Sequence, residues 1–176
     1  MTSFFRHVFL LATLCAALFS LPAALRAADS TPKTDNSGWL LPDTNVGPGW
    51  NIRLKDARAE AAKDNKPILI VFSGPDWSPT CKKFESSTLK SKEFTSLVRP
   101  AVVGLYIWHF MKTNAPEEQV DANLSLRKAL AVPPVYLCTI VLASDGKKIL
   151  GIIQGAPEKK TYLRQIAALA GIELPE

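Results

Sequence analysis

Histidine is almost missing from this chain: two in 176 residues, His7 and His109. That leaves little from which to assemble a metal centre or a serine–histidine pair, so no metal ligands and no serine hydrolase are expected. No glycine-rich phosphate loop and no internal repeat occur either, which removes nucleotide-phosphate binding and solenoid folds. Lys and Arg outnumber Asp and Glu by 21 to 16, yet pairs such as Lys82-Lys83, Lys147-Lys148 and Lys159-Lys160 are scattered. They read as turns and solvated faces, not as a stripe for nucleic acid. Three cysteines are too few for a disulfide framework. No cofactor is expected.

What is present begins with a leader. Arg6 and His7 precede an apolar run from Val8 to Leu21, and Pro22 to Ala27 supplies small residues for cleavage. This is the layout of a secretory signal peptide over residues 1–27. The uncharged stretch 8–25 falls just short of the ~20 residues of a spanning helix, so no membrane span is expected after cleavage. Export to a periplasmic or other oxidising compartment would leave Cys81 and Cys138, a pair that permits a disulfide without requiring one.

Residues 28–49, rich in Ser, Thr, Asp, Asn, Pro and Gly, read as a flexible segment that settles only near Trp39 or Trp50. Residues 50–176 form one domain. Leu54, Ala57, Ala61 and Ala62 at helical spacing predict an amphipathic helix over Arg53 to Asn65. Ile68 to Phe72 is a strand buried on both faces, and Ser73 to Asp76 breaks it, with Asp76 a turn residue. A helix opens near Pro79, bends around Ser91 and reaches about Val98. Ala101 to Trp108 is the second strand, and Trp108, His109 and Phe110 lie at its end, where a sheet of this kind borders its crevice. Pro116 to Ala131 is helical, with Val120, Leu124, Ala129 and Leu130 on its apolar side. Val135 to Ala143 is the third strand. Asp145-Gly146 turns the chain into a fourth over Lys147 to Gly155. A last helix from Pro157 turns Tyr162, Ile166, Leu169 and Ala170 to the core. The order implies two parallel crossovers followed by an antiparallel hairpin, a mixed α/β sheet with helices on both faces, and right-handed crossovers.

The chemistry concentrates in Trp77-Ser78-Pro79-Thr80-Cys81. Ser78 followed by Pro79 is a strong helix start, a hydroxyl N-cap and then proline at the first helical position. No histidine lies nearby in sequence to make Ser78 a nucleophile. Cys81, at the positive end of the helix and followed by Lys82-Lys83, suits a reactive sulfur, and it equally suits a small buried hydrophobe. Trp77 serves either as packing over the helix start or as a substrate platform.

A helix running into Lys66-Pro67, the strand Ile68 to Phe72, the turn Gly74-Pro75-Asp76-Trp77 and then Ser78 to Cys81 together resemble the thioredoxin superfamily, in its exported thioredoxin-like form. The resemblance runs from about Trp50 to the C-terminus. It implies a thioredoxin-like fold with a four-stranded mixed sheet and an extra N-terminal helix, and thiol/disulfide handling with extracytoplasmic protein thiols or a redox protein as partner. A monomer is expected. It also implies that the family's first motif cysteine falls on Ser78, giving SxxC in place of CxxC. Ile68 to Gly74 carries no counterpart of the buried carboxylate many members have. The family's cis-proline position falls on Pro134 in one register and on Leu137 in another, three residues apart. In the second register Cys138 follows directly and becomes a possible disulfide partner of Cys81; the alternative is a buried core cysteine. By the same resemblance Trp77, Pro79, Thr80 and Pro134 would meet substrate. Three functions stand: an oxidoreductase of altered type with reduced activity, a non-catalytic binding module, and a peroxiredoxin-like peroxidase. The last is suggested by Pro75, Ser78 and Cys81, which approximate that family's Pro-x-x-x-Thr-x-x-Cys.

Overall fold

A computed structural model describes residues 33–42 and 46–175; the leader reading lies outside them. The sheet is built around β1, Ile68–Ser73, whose six residues are all buried. An uninterrupted apolar run suits a strand covered on both faces, and β1 is central in the order β2-β1-β3-β4. β2, Val103–Trp108, runs parallel to it with Ser73 opposite Trp108. β3, Cys138–Leu142, is antiparallel with Phe72 opposite Cys138. β4, Ile149–Gln154, closes the hairpin through Asp145-Gly146. Both β2 and β3 start later than the apolar runs suggest. A 3-10 turn at Arg99–Ala101 occupies the first residues of one, and the chain before Cys138 is still an irregular loop.

Alternation along β1 sends its side chains into two separate cores. Leu69 and Val71 pack with Cys81, Phe84, Leu89, Phe94, Tyr162 and Ile166. Ile68, Ile70 and Phe72 pack on the other face with Ala57, Ala61, Cys138, Ile140 and Leu142. Helix α1, Leu54–Asp64, buries the small Ala57 and Ala61 there, with Leu54 at the edge; Asn65 ends it in the left-handed conformation. Helix α2 is short, Pro79–Phe84, and widens into a π-helical turn over Glu85–Leu89. After a break at Ser91, whose hydroxyl accepts from the Phe94 amide at 3.2 Å, a second π-helical turn covers Phe94–Val98. Helix α4, Lys159–Ala170, is capped by Glu158 and buries Tyr162, Leu163, Ile166 and Ala167. Leu169 and Ala170 lie at the edge of that core.

Two expectations are corrected. Helix α3, Glu117–Ala129, buries Gln119 and Asn123, while Leu124 is exposed. The apolar stripe misleads because α3 packs on backbone. Asn123 Nδ2 donates to the Trp108 carbonyl at 2.9 Å, and Gln119 clasps the Leu40 peptide, accepting from its N–H at 2.8 Å and donating to its carbonyl at 2.9 Å. The second correction concerns the crossovers: the first is parallel, from β1 to β2, but β3 runs antiparallel to β1 and so to β2. In the segment ahead of the domain Trp39 and Leu40 are buried, with Arg53 lying over the Trp39 ring at 4.1 Å.

Trp50 ties the entry to the domain to β2. Its indole donates to the Val46 carbonyl at 2.9 Å and stacks on Phe94 with centroids 6.1 Å apart. It also leans on Gly104, where an added Cβ would lie 2.8 Å from a ring carbon. Gly104→Ala is therefore expected to destabilise the fold by about 1–3 kcal/mol through overpacking. The check is a lower urea midpoint with an unchanged denaturant slope.

Candidate functional site

The site lies where β1 ends and α2 begins. The chain turns so tightly that a Cβ on Gly74 would sit 2.2 Å from the Trp77 indole nitrogen, so only glycine fits. The Ser78 N–H donates back to the Gly74 carbonyl at 2.8 Å, and the Trp77 indole donates to the His109 carbonyl at 3.0 Å. Asp76 does more than turn the chain. Its carboxylate accepts from the Trp108 indole at 3.0 Å and from the amides of Met111, Lys112 and Thr113 at 3.0, 2.8 and 3.0 Å. It thus fastens the loop after β2 to the motif.

Ser78 is the N-cap of α2: its Oγ accepts from the Cys81 N–H at 3.3 Å, and Pro79 follows at the first position. Pro79 and Thr80 are exposed and Trp77 is half-buried. Cys81 points inward and is 0 % exposed. One turn later, the Glu85 amide donates to the Cys81 carbonyl, and the Glu85 side chain is buried against the same face of the sheet. Its Oε1 accepts from the Ser73 hydroxyl at 2.5 Å and the Tyr106 hydroxyl at 2.7 Å. Burial, then the charge and hydrogen bond of Glu85, push the Tyr106 hydroxyl well above its ordinary pKa.

A buried carboxylate is therefore present beneath the motif, supplied by the helix and not by β1. The sequence held one signal for it: Glu85 follows Cys81 and Phe84 into the buried stripe of α2, where an acid is otherwise unexpected. Ser73 and Tyr106 carried no such signal, because Ser73 reads as the start of the turn and Tyr106 as one more position in an apolar strand.

Cys138 is also buried, and its burial raises the thiol pKa. It does not join Cys81. Both are free thiols, and they belong to the two cores on opposite faces of the sheet. The peptide between Tyr136 and Leu137 is cis, and Cys138 opens β3 directly after it. Position alone does not decide the pairing, because the side chain at 138 faces away from α2 whereas Leu137 faces it. Pro134 is exposed and sits three residues before that peptide, outside the group that gathers at the turn. That group includes Tyr136, which sequence reading missed. Its ring lies edge-on to Trp77 at 5.2 Å and stacks with His109 at 4.7 Å, with the Arg127 guanidinium 4.3 Å above it. Burial and the Arg127 charge hold His109 below its ordinary pKa. Among the described residues no cluster of three or more His, Cys, Asp and Glu is placed to hold a metal ion, and no helix is long and apolar enough to cross a membrane.

Burial acts to raise the pKa of Asp76, but the indole and three amide bonds outweigh it and leave the carboxyl below its ordinary value. A depressed folded-state pKa adds stability above the unfolded carboxylate value and loses it as pH falls toward the folded one. The stability difference between the native protein and Asp76→Asn is thus expected to be full at neutral pH. It should shrink as pH drops below about 4, read as denaturation midpoints at matched pH.

The model of the thioredoxin-like family matches residues 49–138, just over half of the chain. Thioredoxin-related protein DsbJ of Chlamydia pneumoniae is 25% identical over 103 residues, which are 58% of this chain and 29% of that protein. Disulfide bond reductase DsbH of the same organism is 31% identical over 97 residues, 53% of this chain and 56% of that one. The chain thus spans between about a third and about half the length of these curated relatives. Among solved structures, DsbH oxidoreductase superposes with a TM-score of 0.63 at 19% identity, covering 84% of this chain and 96% of the other. That likeness speaks for the fold. The family match over residues 49–138, together with the helix–strand–turn–helix order around Ser78 to Cys81, leads to one statement: the chain belongs to the thioredoxin-like family.

Proposed function

We propose that this is an exported thioredoxin-like protein that engages thiol- or disulfide-bearing partner proteins at the Trp77–Cys81 turn and runs no dithiol cycle of its own. One observation carries the reading: Ser78 keeps the cap, while the two thiols of the domain are buried on opposite faces of the sheet. A disulfide needs Cα atoms roughly 4.4–6.8 Å apart with side chains directed at each other, and a strand buried on both faces stands between these two. Reduced activity then follows from chemistry: the single motif thiol is buried, and no second thiol stands ready to resolve a mixed disulfide formed on it. Glu85 beneath Cys81 supports an origin in thiol chemistry. The relative DsbH is a disulfide bond reductase, which suggests the class of partner. Export rests on the leader read over residues 1–27. The peroxidase reading is disfavoured, since peroxide would have to reach a sulfur with no exposure.

Restoring the missing sulfur tests this. Ser78→Cys is expected to catalyse reduction of a peptide disulfide by dithiothreitol. Its dithiol passes two electrons and two protons to the substrate, and the reductant regenerates it. The native protein should stay at the background set by Cys81→Ser. Native turnover equal to that of Ser78→Cys would overturn the proposal. A second expected outcome is that peptide-mapped alkylation of the folded chain leaves Cys81 and Cys138 largely unmodified and labels both in denaturant.

A further inference from the structure

On the face of the sheet away from Cys81, the ends of β1 and β2 and the middle of α3 enclose a cavity of about 150 Å³. Phe72, Ile107, Phe110 and Leu124 line it, together with Asn123 and Arg127. Leu124 at this site is 45% exposed, an apolar side chain left in water on a helix whose buried positions are polar.

The cation is what makes this more than a packing gap. Arg127 Nη2 donates to the carbonyls of Pro133 and Val135, which are neutral dipoles. Its Nη1 is sealed from solvent with no hydrogen-bond partner. The ion pairs among the described residues are Arg53–Asp35, Lys66–Asp64 and Lys159–Glu93, so no carboxylate faces this guanidinium. Against it lies the ring of Tyr136, itself only half-buried. A partly enclosed charge without a counter-ion is costly in apolar surroundings, and a carboxylate is the partner that guanidinium geometry matches best. The size of the body it carries follows from the cavity, since ~150 Å³ of apolar space accommodates a benzene-sized group.

We propose that this cavity binds a carboxylate borne on a small apolar body, with the carboxylate paired to Arg127 and the body between Phe72, Phe110 and Leu124. The Tyr136 ring turns aside as the carboxylate enters. Because that ring meets Trp77 edge-on at 5.2 Å, occupancy is felt at the motif turn. The carboxylate comes either from a free small acid or from the C-terminal residue of a peptide. This site does not depend on the thiol chemistry proposed above.

The test titrates the full chain with phenylacetate and with N-acetylphenylalanine, each against its amide, and with inorganic phosphate. Tryptophan fluorescence and the His109 ring resonances report binding. Expected are saturable changes with an acid, none with the amides or phosphate, and a raised His109 pKa in the complex because an added anion favours the imidazolium. Arg127→Gln should weaken binding by roughly tenfold or more, the loss of a charged hydrogen bond. Leu124→Trp, at an exposed position the fold tolerates, should block the cavity with Arg127 intact. Tighter binding of N-acetylphenylalanine identifies a peptide terminus, and tighter binding of phenylacetate a free acid. The proposal is overturned if neither acid saturates, if amides or phosphate do as well, or if Leu124→Trp binds normally.

Discussion

Burial of β1 on both faces is the constraint on which the molecule depends. With all six residues of Ile68–Ser73 inside, the strand must be sandwiched, and alternation divides its neighbours into two cores that share no side chain. Helices α2 and α4 cover one core, α1 and α3 the other. The same division settles the fate of the thiols. Cys81 comes from the helix over one core, and Cys138 is one residue out of phase with that face. Their separation is thus a consequence of strand periodicity, where a shift by one residue exchanges faces.

The turn at the head of α2 keeps its shape by local hydrogen bonding that needs no sulfur. Serine accepts from the Cys81 amide, proline starts the helix without a donor to lose, and Gly74 lets the Trp77 indole lie against the backbone. Asp76 then joins the turn to the loop after β2, so that two strand ends are held as one surface. Below this surface Glu85 is buried with the hydroxyls of Ser73 and Tyr106 on one oxygen. Such contacts offset the high cost of a buried carboxyl group. The π-helical widening begins at Glu85 itself, and the same turn buries Leu89.

Function follows from what this frame displays and what it hides. It displays Trp77, Pro79 and Thr80 beside Tyr136 and His109, and it hides both thiols. The proposed loss of turnover with retention of a binding surface requires no change of fold, only a hydroxyl where a sulfur would otherwise stand. The cavity behind Tyr136 adds a second recognition element, whose one cation is held in place by backbone carbonyls and an aromatic ring.

The succession of helices and strands along the chain, the helix starts near Arg53 and Pro79, the break at Ser91 and the Ser78 cap were legible in the sequence, because each rests on local periodicity or on a capping residue next to its helix. Asn65 as a helix stop and Asp145-Gly146 as a turn belong to the same class. What tertiary structure alone decided is of another kind. Leu124 faces water while Asn123 is buried, because a carbonyl of Trp108 waits for an amide and no pattern of hydrophobicity encodes that. Glu85 became the buried acid only when Ser73 and Tyr106, far apart in sequence, were brought to it. Counting along the chain left two registers for Cys138, and on which face of the sheet it lies depends on where the irregular loop before it ends. Local propensities determine elements and caps through neighbours in the chain. Pairings of charge, thiol and cavity depend on partners that meet only after the sheet is assembled.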